Sequence, residues 1–363
     1  GEMKMKRKRM VWVAICLASF LVAGRAAAAT YYISSNTGSD ANTSAQAQSK
    51  STPWAHLPCM ANATSNAAAY TPVPGDTFVL KGGESWPNAS FPCTWRWSGT
   101  RRSKITMGGT DQTWYTGGSW TRPIWTAGNS PVQGPKNIMW YDSLVNAIHD
   151  VTVSSIEFTG FHWDGDYPFA SCSIIQVAGS TYITLDNLYI HAWTHTGTFD
   201  PCTIILGSSN SPFSEGSVLR NSFVDGSDST NGGDSMSIYM FPNYVNNVLQ
   251  YFTSMAMPKG NSTITGNTVS HCIHSIDVRA HPNMFESLGG NPGGYTMIVA
   301  NNGFHDGADT CEQGLIGNPG ETAYLWNNVW YNNLGNVPAL TQNNNTGAGV
   351  AAYFWNNTIV APQ

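Results

Sequence analysis

The chain has 363 residues, of which 41% are hydrophobic, 12% aromatic and only 11% charged, and its formal net charge is −5 at pH 7. Six of its 17 Lys and Arg residues, but one of its 22 Asp and Glu residues, lie in residues 1–30, so the rest of the chain carries a net charge near −10. An acidic surface repels phosphate backbones, which argues against a nucleic-acid partner.

The first predicted element is a secretory signal peptide over residues 1–29. A basic start between Lys4 and Arg9, an apolar run over 10–23 and the small residues after Arg25 are typical of such a segment, which is removed on export. The apolar run is too short for a membrane span, and no later segment is long enough either. We therefore expect a secreted protein, extracellular or periplasmic, with cleavage near Ala29.

Residues 30–149 are expected to form an N-terminal cap and the first coils of a repeating fold. The run that begins at Tyr31 predicts a strand, and the turn at Pro74-Gly75-Asp76 leads into a second apolar strand over 77–80. The Trp-rich stretch that follows has no helical periodicity.

Residues 150–363 are predicted to be regular coils, because one short phrase recurs there seven times. Each copy has apolar residues on both sides of an Asn-rich step, and the copies lie at 151–158, 183–190, 218–224, 264–269, 298–304, 324–330 and 353–359. Such self-similarity is the signature of a stacked repeat. Short β-branched segments between the copies predict a further strand in each coil, at 173–177, 203–206, 235–240, 275–279 and 313–316.

The Asn step sets the expected coil length. The residues taken as equivalent are Ser155, Asp186, Asn221, Asn267, Asn302, Asn328 and Asn357. Their steps are 31, 35, 46, 35, 26 and 29 residues, against about 20–30 for a coil of a parallel β-helix. The 46-residue step predicts a long insertion over 243–260.

Inward Asn side chains on successive coils can hydrogen-bond to the backbone and to one another, as in other stacked strands. Ordinary use of Asn in turns does not explain the run from Asn267 to Asn357. The sequence therefore predicts an all-β protein, a parallel β-helix (solenoid), with a sandwich or propeller as the competing architecture.

Six cysteines follow the signal peptide, and an even number in an exported protein predicts disulfides. We expect sequential pairing (59–93, 172–202 and 272–311), because each gap is about one repeat and would place the partners on neighbouring coils. Zinc ligation is the alternative, but the sequence has no CxxC.

These residues resemble the pectate-lyase-like superfamily of right-handed parallel β-helix proteins. The opening at 31–40, with Ser51-Thr-Pro-Trp54 and the segment 74–83, is similar to the N-terminal segment of many secreted members, and the Asn-bearing coils cover most of 150–360. The resemblance implies a polysaccharide partner and an outward groove on one sheet. It leaves the activity open, because the superfamily includes lyases, hydrolases, epimerases, esterases, adhesins and phage spikes.

For the lyases of this superfamily, the resemblance implies calcium held by carboxylates, which neutralises the uronate, and a Lys or Arg base at C5. A carboxylate and a cation should then share one outward strand face. The segment 275–281 offers both, since alternation points Asp277, Arg279 and His281 outward together. An ordinary Asp–Arg surface pair is the competing interpretation.

We expect Arg279 to be the C5 base, with Lys259 as the alternative, and His281 and Tyr239 to orient or protonate the substrate. The expected calcium or uronate-neutralising ligands are Asp234, Asp277, Asp309 and Glu312. His271, His274 and the pair His305-Asp306 could also bind a metal, but no recognised ligand spacing supports it.

The preferred hypothesis is a calcium-assisted lyase that cleaves a uronate-containing polysaccharide. An inverting glycoside hydrolase that pairs Asp277 with Asp234 or Glu312 is the second. The third is a non-catalytic glycan-binding, adhesive or filament-forming β-helix. In that case the sheet edge after Thr358 predicts self-association through the C-terminal coil.

Overall fold

The structure is a computed structural model of the chain. It describes residues 27–129, 140–142, 147–165, 172–197, 202–209, 213–230, 236–273, 282–288, 294–308, 311, 314–316, 320–333, 341–342 and 349–360. Within these residues there are 31 strands, one α-helix (Ser65–Ala69) and two short 3-10 helices (Gln46–Gln48 and Asn88–Ser90). None of the helices described is long and apolar enough to cross a membrane.

Three long sheets organise the strands. Sheet 1 has eleven strands: Thr30–Ile33, Thr77–Leu80, Ile105–Gly108, Val151–Ser154, Thr184–Asp186, Val218–Arg220, Asn243–Val245, Ser262–Thr265, Thr296–Ala300, Thr322–Trp326 and Ala351–Trp355. Sheet 2 has ten: Ser85–Trp86, Ile124–Thr126, Glu157–Thr159, Tyr189–His191, Phe223–Asp225, Val248–Gln250, Thr268–Ser270, Gly303–His305, Val329–Tyr331 and Thr358–Ile359. Sheet 3 has six: Cys93–Trp95, Trp140–Asp142, Ser173–Gln176, Thr203–Leu206, Ser237–Tyr239 and Ser254–Met257. Two small sheets pair His162–Trp163 with Thr194–His195, and Leu315–Ile316 with Thr341–Gln342.

Strands pair in parallel with their counterparts on the next coil. The last pair of sheet 1, for example, matches Thr322–Trp326 with Ala351–Trp355 residue for residue. The strand order in each long sheet follows the chain, so the polypeptide visits the sheets in turn and rises by one strand per circuit. The chain is a parallel β-helix. The predicted fold class is confirmed, and sheet 1 already begins at Thr30.

The core lies inside the coils, because alternation turns every second side chain inward. The middle residues of successive sheet 2 strands are all buried: Phe158, Ile190, Val224, Leu249, Val269, Phe304 and Trp330. Eight tryptophans are among the largest fully buried side chains. Most of the tryptophan therefore serves the core rather than the surface.

Sheets 1 and 2 meet at a corner of two residues in eight successive coils. The first corner residue has a left-handed φ between 51° and 69° in every coil: Ser155, Asn187, Asn221, Asn246, Gly266, Asn301, Asn327 and Asn356. Asn and Gly tolerate this conformation better than other residues, which explains why Asn recurs. The second corner residue points into the coil.

In the last five of these coils the second corner residue is an asparagine, and the five stack as a ladder: Asn247, Asn267, Asn302, Asn328 and Asn357. Each amide nitrogen donates to the side-chain oxygen of the next asparagine at 2.9 to 3.0 Å, across 20, 35, 26 and 29 residues of sequence. Each also donates to a backbone carbonyl, as Asn302 does to Ile264 at 2.9 Å. The predicted Asn stack is confirmed.

The predicted insertion over 243–260 is wrong. This segment is a complete coil, with strands at Asn243–Val245, Val248–Gln250 and Ser254–Met257, one in each sheet. It is the shortest coil of the ladder, so two coils were counted as one. The equivalences drawn for Ser155, Asp186 and Asn221 also shift, because the inward corner residues of those coils are Ile156, Leu188 and Ser222.

Most of the predicted third strands are confirmed, at Ser173–Gln176, Thr203–Leu206, Ser237–Tyr239 and Leu315–Ile316. The predicted strand 275–279 lies outside the described residues. The sheet 3 position next to Ser254–Met257 is held by residues 283–288, since Asn283 bridges Ser254 and the Glu286 N–H donates to the Ala256 carbonyl at 2.9 Å.

The cysteines pair in sequence order, as predicted: Cys59–Cys93, Cys172–Cys202 and Cys272–Cys311. Their sequence separations are 34, 30 and 39 residues. Each disulfide therefore ties parts of the chain that are about one coil apart.

Replacing both Cys172 and Cys202 by Ser should lower the free energy of unfolding by about 3 kcal/mol, since a cross-link over 30 residues restricts the unfolded chain. Guanidinium denaturation of the double variant and of the oxidised wild type measures the difference. An unchanged midpoint would contradict this account of the disulfide.

The last described coil exposes apolar side chains, among them Phe354, Trp355 and Ile359. Tyr353 and Trp355 stack on Tyr324 and Trp326 of the coil below, at ring-centroid distances of 5.2 and 5.0 Å. Self-association through this coil stays a prediction.

Candidate functional site

Of the predicted catalytic and calcium-binding residues, Tyr239 and Lys259 lie in the described part of the chain, as do His271 and His305 of the weaker metal group. The other predicted residues lie outside it: Asp234, His274, Asp277, Arg279, His281, Asp309 and Glu312. Tyr239 ends a strand of sheet 3 and is half-buried. Lys259 follows the next strand of that sheet, and its Nζ lies 5.6 Å from the centre of the Phe213 ring.

Tyr239 shares a row of sheet 3 with Met257 and Glu286. It pairs with Met257, and the backbone bond from Glu286 to Ala256 places Glu286 beside Met257 on the following coil. Burial, together with the negative charge of Glu286, raises the pKa of Tyr239 to about 12. Its phenol therefore stays protonated at neutral pH and can donate a proton or a hydrogen bond.

The coil missed in the sequence changes the neighbours of Tyr239. Ser254–Met257 is the strand next to Tyr239 in sheet 3, and residues 283–288 follow it. Tyr239 is thus two coil steps, roughly 10 Å, from the level of residues 283–288.

A groove of about 430 Å³ opens where the chain leaves sheet 2 for sheet 3. Its polar and aromatic lining comes from Tyr251, His271, Asp306 and Asn332. The lining also includes Cys272, which is fixed by the disulfide to Cys311, and Ile273. Residues 274–281, which include Arg279, lie outside the described residues.

The register of sheet 2 brings the groove residues together. Ser270 pairs with His305 and His305 with Tyr331, so the residues that follow them, His271, Asp306 and Asn332, stack on successive coils. All three have a left-handed φ between 51° and 54°, and Tyr251 on the coil below has 60°.

Each of the four groove residues follows its ladder asparagine by four positions. This fixed offset from Asn247, Asn267, Asn302 and Asn328 is the signal that would have found the site in the sequence. The sequence indicated His271, His305 and Asp306 only as possible metal ligands, and it did not predict that Asp306 lies between the two histidines.

Asp306 lies between two histidines. Its Oδ2 is 2.6 Å from His305 Nδ1 and 3.9 Å from His271 Nε2. Asn332 donates to its other oxygen. Burial opposes ionisation of Asp306, but the hydrogen bonds from His305 and Asn332 outweigh it and hold its pKa below the ordinary value.

Aromatic contacts fix both imidazoles. His271 stacks on Tyr251 with 4.2 Å between ring centres, and His305 stacks on Tyr331 at 4.6 Å. The His271 side chain is 37% exposed and that of His305 is 16% exposed. His271 therefore faces the groove, while His305 braces Asp306 from the side.

A second histidine on sheet 2, His191, is bound differently. Its Nδ1 lies 2.8 Å from Asp228 and its Nε2 lies 3.3 Å from Glu157. Burial alone would lower the pKa of His191, but the hydrogen bonds to Glu157 and Asp228 outweigh it and raise the pKa. Both ring nitrogens are engaged, so His191 links coils rather than offering a free nitrogen to a ligand.

The described part of the groove does not suit a calcium ion. Calcium takes six to eight oxygen ligands, whereas Asp306 is the single carboxylate of the described groove lining and is engaged by His305 and Asn332. No group of three or more His, Cys, Asp or Glu among the described residues is placed to hold a metal. The four predicted calcium ligands all lie outside those residues.

No protein-family model and no curated protein matches the sequence. Among solved structures, the chain is similar to a GH136 lacto-N-biosidase from Eubacterium ramulus, with a TM-score of 0.44 and 13% identity over 98% of this chain and 70% of that one. It is also similar to a PL6 family alginate lyase (TM-score 0.44, 11% identity, 75% of this chain and 38% of that one) and to pectate lyase Pel9A (0.39, 14%, 93% and 80%). The assignment of the fold rests on the strand pairing of this chain itself.

Proposed function

We propose that this protein is an exported polysaccharide-active enzyme that cleaves a uronate-containing chain by β-elimination. The observation that supports elimination is the polar lining of the groove. It holds His271, whose imidazole can accept a proton, beside the Asp306 carboxylate, and His305 contacts the same carboxylate. Elimination needs one base and a positive charge near the substrate carboxylate.

In the proposed reaction the C5 proton leaves, its electron pair forms the C4–C5 double bond, and the bond from C4 to the glycosidic oxygen breaks. Arg279, which lies outside the described residues, is proposed to act at C5 and at the substrate carboxylate, with Lys259 as the alternative. His281 and Tyr239 are proposed to orient or protonate the substrate. The phenol of Tyr239 is protonated at neutral pH and can therefore donate a hydrogen bond or a proton to it.

Calcium is proposed as the counter-ion, with Asp234, Asp277, Asp309 and Glu312 as its ligands, and bound calcium would offset the uronate charge. The described residues contain no such set of calcium ligands. The bond changes given above do not depend on calcium. If calcium is required, chelation should abolish activity and added calcium should restore it. Full activity after exhaustive chelation would remove calcium from the proposal.

The main test incubates the wild type with a panel of uronate polymers and follows the ultraviolet absorbance of the unsaturated product. Arg279→Ala should lower kcat by about 100-fold or more, as expected for loss of a charge aimed at the reacting centre. Arg220→Ala is the matched control. Arg220 makes a surface pair with Asp186 on sheet 1 and should be dispensable.

New reducing ends without the absorbance would replace elimination by hydrolysis. Co-sedimentation with insoluble glycan, with neither signal, would favour the adhesive interpretation.

A further inference from the structure

Elimination needs a group that can accept a proton near neutral pH. A guanidinium is always protonated in proteins, so it can neutralise a carboxylate but is a poor acceptor. An imidazole has an ordinary pKa of about 6.5 and is the side chain best suited to accept the proton. The groove contains such a group in His271.

We propose that His271 is the base that removes the C5 proton, and that Asp306 and His305 are positioning residues for it. This inference rests on the proposed elimination reaction and changes which residue accepts the proton.

The first support is the accessibility of one ring nitrogen. His271 Nδ1 lies 3.1 Å from Ser270 Oγ, whereas Nε2 lies 3.9 Å from the nearest Asp306 oxygen, which is too long for a hydrogen bond. A proton on Nδ1, donated to Ser270, leaves Nε2 as an acceptor on the groove side. Stacking on Tyr251 keeps the ring in this orientation.

The second support is the charge around the ring. The titratable groups that face His271 are Tyr251 from the coil below, and Asp306 and His305 from the coil above. When Nε2 takes a proton, the positive charge of the imidazolium lies beside the Asp306 carboxylate, which stabilises it. His305 and Asn332 hold that carboxylate in place from its other side.

The other groove residues are poorer bases. Asp306 is already bound by two donors, which hold its pKa low and make it a weak acceptor. Cys272 is in a disulfide and has no thiol. Both ring nitrogens of His191, further down sheet 2, are engaged by carboxylates.

The elimination needs no oxidant, reductant or co-substrate other than water. The C5 proton passes to His271 Nε2, the C5–H electron pair becomes the C4–C5 double bond, and the C4–O pair leaves with the glycosidic oxygen. Water protonates that oxygen, and the imidazolium returns its proton to solvent before the next turnover.

The test compares His271→Gln with His149→Gln on the polymer that the wild type cleaves. His149 is a matched control because it precedes an aspartate, as His305 does, its Nδ1 lies 3.0 Å from Asp150, and it is remote from the groove. We expect kcat to fall about 100-fold or more in His271→Gln, in the range for loss of a general base. KM should change little, and His149→Gln should match the wild type.

The pH profile separates catalysis from a purely structural role. Wild-type kcat should rise with pH through an inflection as the base loses its proton, and the inflection should be absent in His271→Gln. His305→Gln should move it to higher pH, because a carboxylate released from His305 stabilises the imidazolium more strongly. Thermal melting of each variant checks that it is folded.

Two results would overturn the inference in distinguishable ways. If the wild type releases no unsaturated product from any uronate polymer, both the proposed elimination reaction and the role of His271 as its base are wrong. A wild type that does release it, together with a folded His271→Gln of normal kcat and unchanged inflection, removes His271 alone and leaves the lyase intact.

Discussion

Replacing Asn302 by Asp should destabilise the protein by about 4 kcal/mol or more at neutral pH. The two side chains have nearly the same shape, so no cavity forms. The lost NH2 group, however, donates to the Ile264 carbonyl and to Asn328 Oδ1, both at 2.9 Å, in a site only 2% exposed. A buried carboxylate would face two oxygens, and unsatisfied buried groups cost about 1–3 kcal/mol each, more when charged.

The sign of the pH dependence follows from the same contacts. Repulsion by the facing oxygens would raise the pKa of the new carboxyl in the folded state, so stability is lost at higher pH and recovered as acidification protonates the group. Guanidinium denaturation with the disulfides intact, at several pH values, measures both effects.

The matched control is Asn301→Gly, one residue earlier. Asn301 is exposed, has a φ of 58° that glycine adopts easily, and accepts one surface hydrogen bond from Asn327. Asn301→Gly should therefore change the midpoint of guanidinium denaturation little. Equal losses of stability in Asn301→Gly and Asn302→Asp would show that the corner backbone, and not the buried hydrogen bonds of the ladder, accounts for the destabilisation.

Gly108→Ala should prevent folding or cost more than about 5 kcal/mol, which is at the extreme of single substitutions. Gly108 ends a strand of sheet 1 directly beside Ser154 of the next coil, and an added Cβ would lie 1.6 Å from the Ser154 carbonyl oxygen. Strands of one sheet stay about 4.8 Å apart through their hydrogen bonds, so the coils cannot separate to admit a methyl group. Soluble yield and thermal melting report the effect.

Gly303→Ala is the control for this substitution. Gly303 begins a strand of sheet 2, has no left-handed φ, and an added Cβ would meet nothing within 4 Å. The change should be neutral or stabilising by about 0.5–1 kcal/mol, because glycine in a strand costs entropy on folding. A Gly108→Ala protein with a melting temperature like that of Gly303→Ala would refute the close-contact argument.

The architecture was predictable because each of these coils carries the same short sequence pattern. Asn267, Asn302, Asn328 and Asn357 stand at the same point of four similar phrases, and one turn geometry explains both the corner asparagine and the inward one. The disulfides followed from the same spacing. The coil at 243–257 was missed because Asn247 and Asn267 are only 20 residues apart, while other coils are much longer.

The candidate site was harder to predict, because its parts come from different coils. His271 and Asp306 are 35 positions apart, and what they share is their offset from a ladder asparagine. They meet because Ser270 pairs with His305. That pairing could be derived only after the corner had been located in every coil. The predicted calcium ligands lie on segments whose lengths differ from coil to coil, so no repeat pattern fixes their positions.

In eight successive coils the corner between sheets 1 and 2 has two residues, so this side of the molecule should tolerate insertions and deletions much less well than the side that carries sheet 3. One extra residue at this corner would reverse which side chains of the following sheet 2 strand face inward, so selection must purge such insertions. The connections into and out of sheet 3 carry no such constraint, and they can lengthen or shorten while the stack below them stays intact. Evolutionary variation in what the protein recognises should therefore collect on that side, and loops grafted there in the laboratory should fold on an undisturbed scaffold.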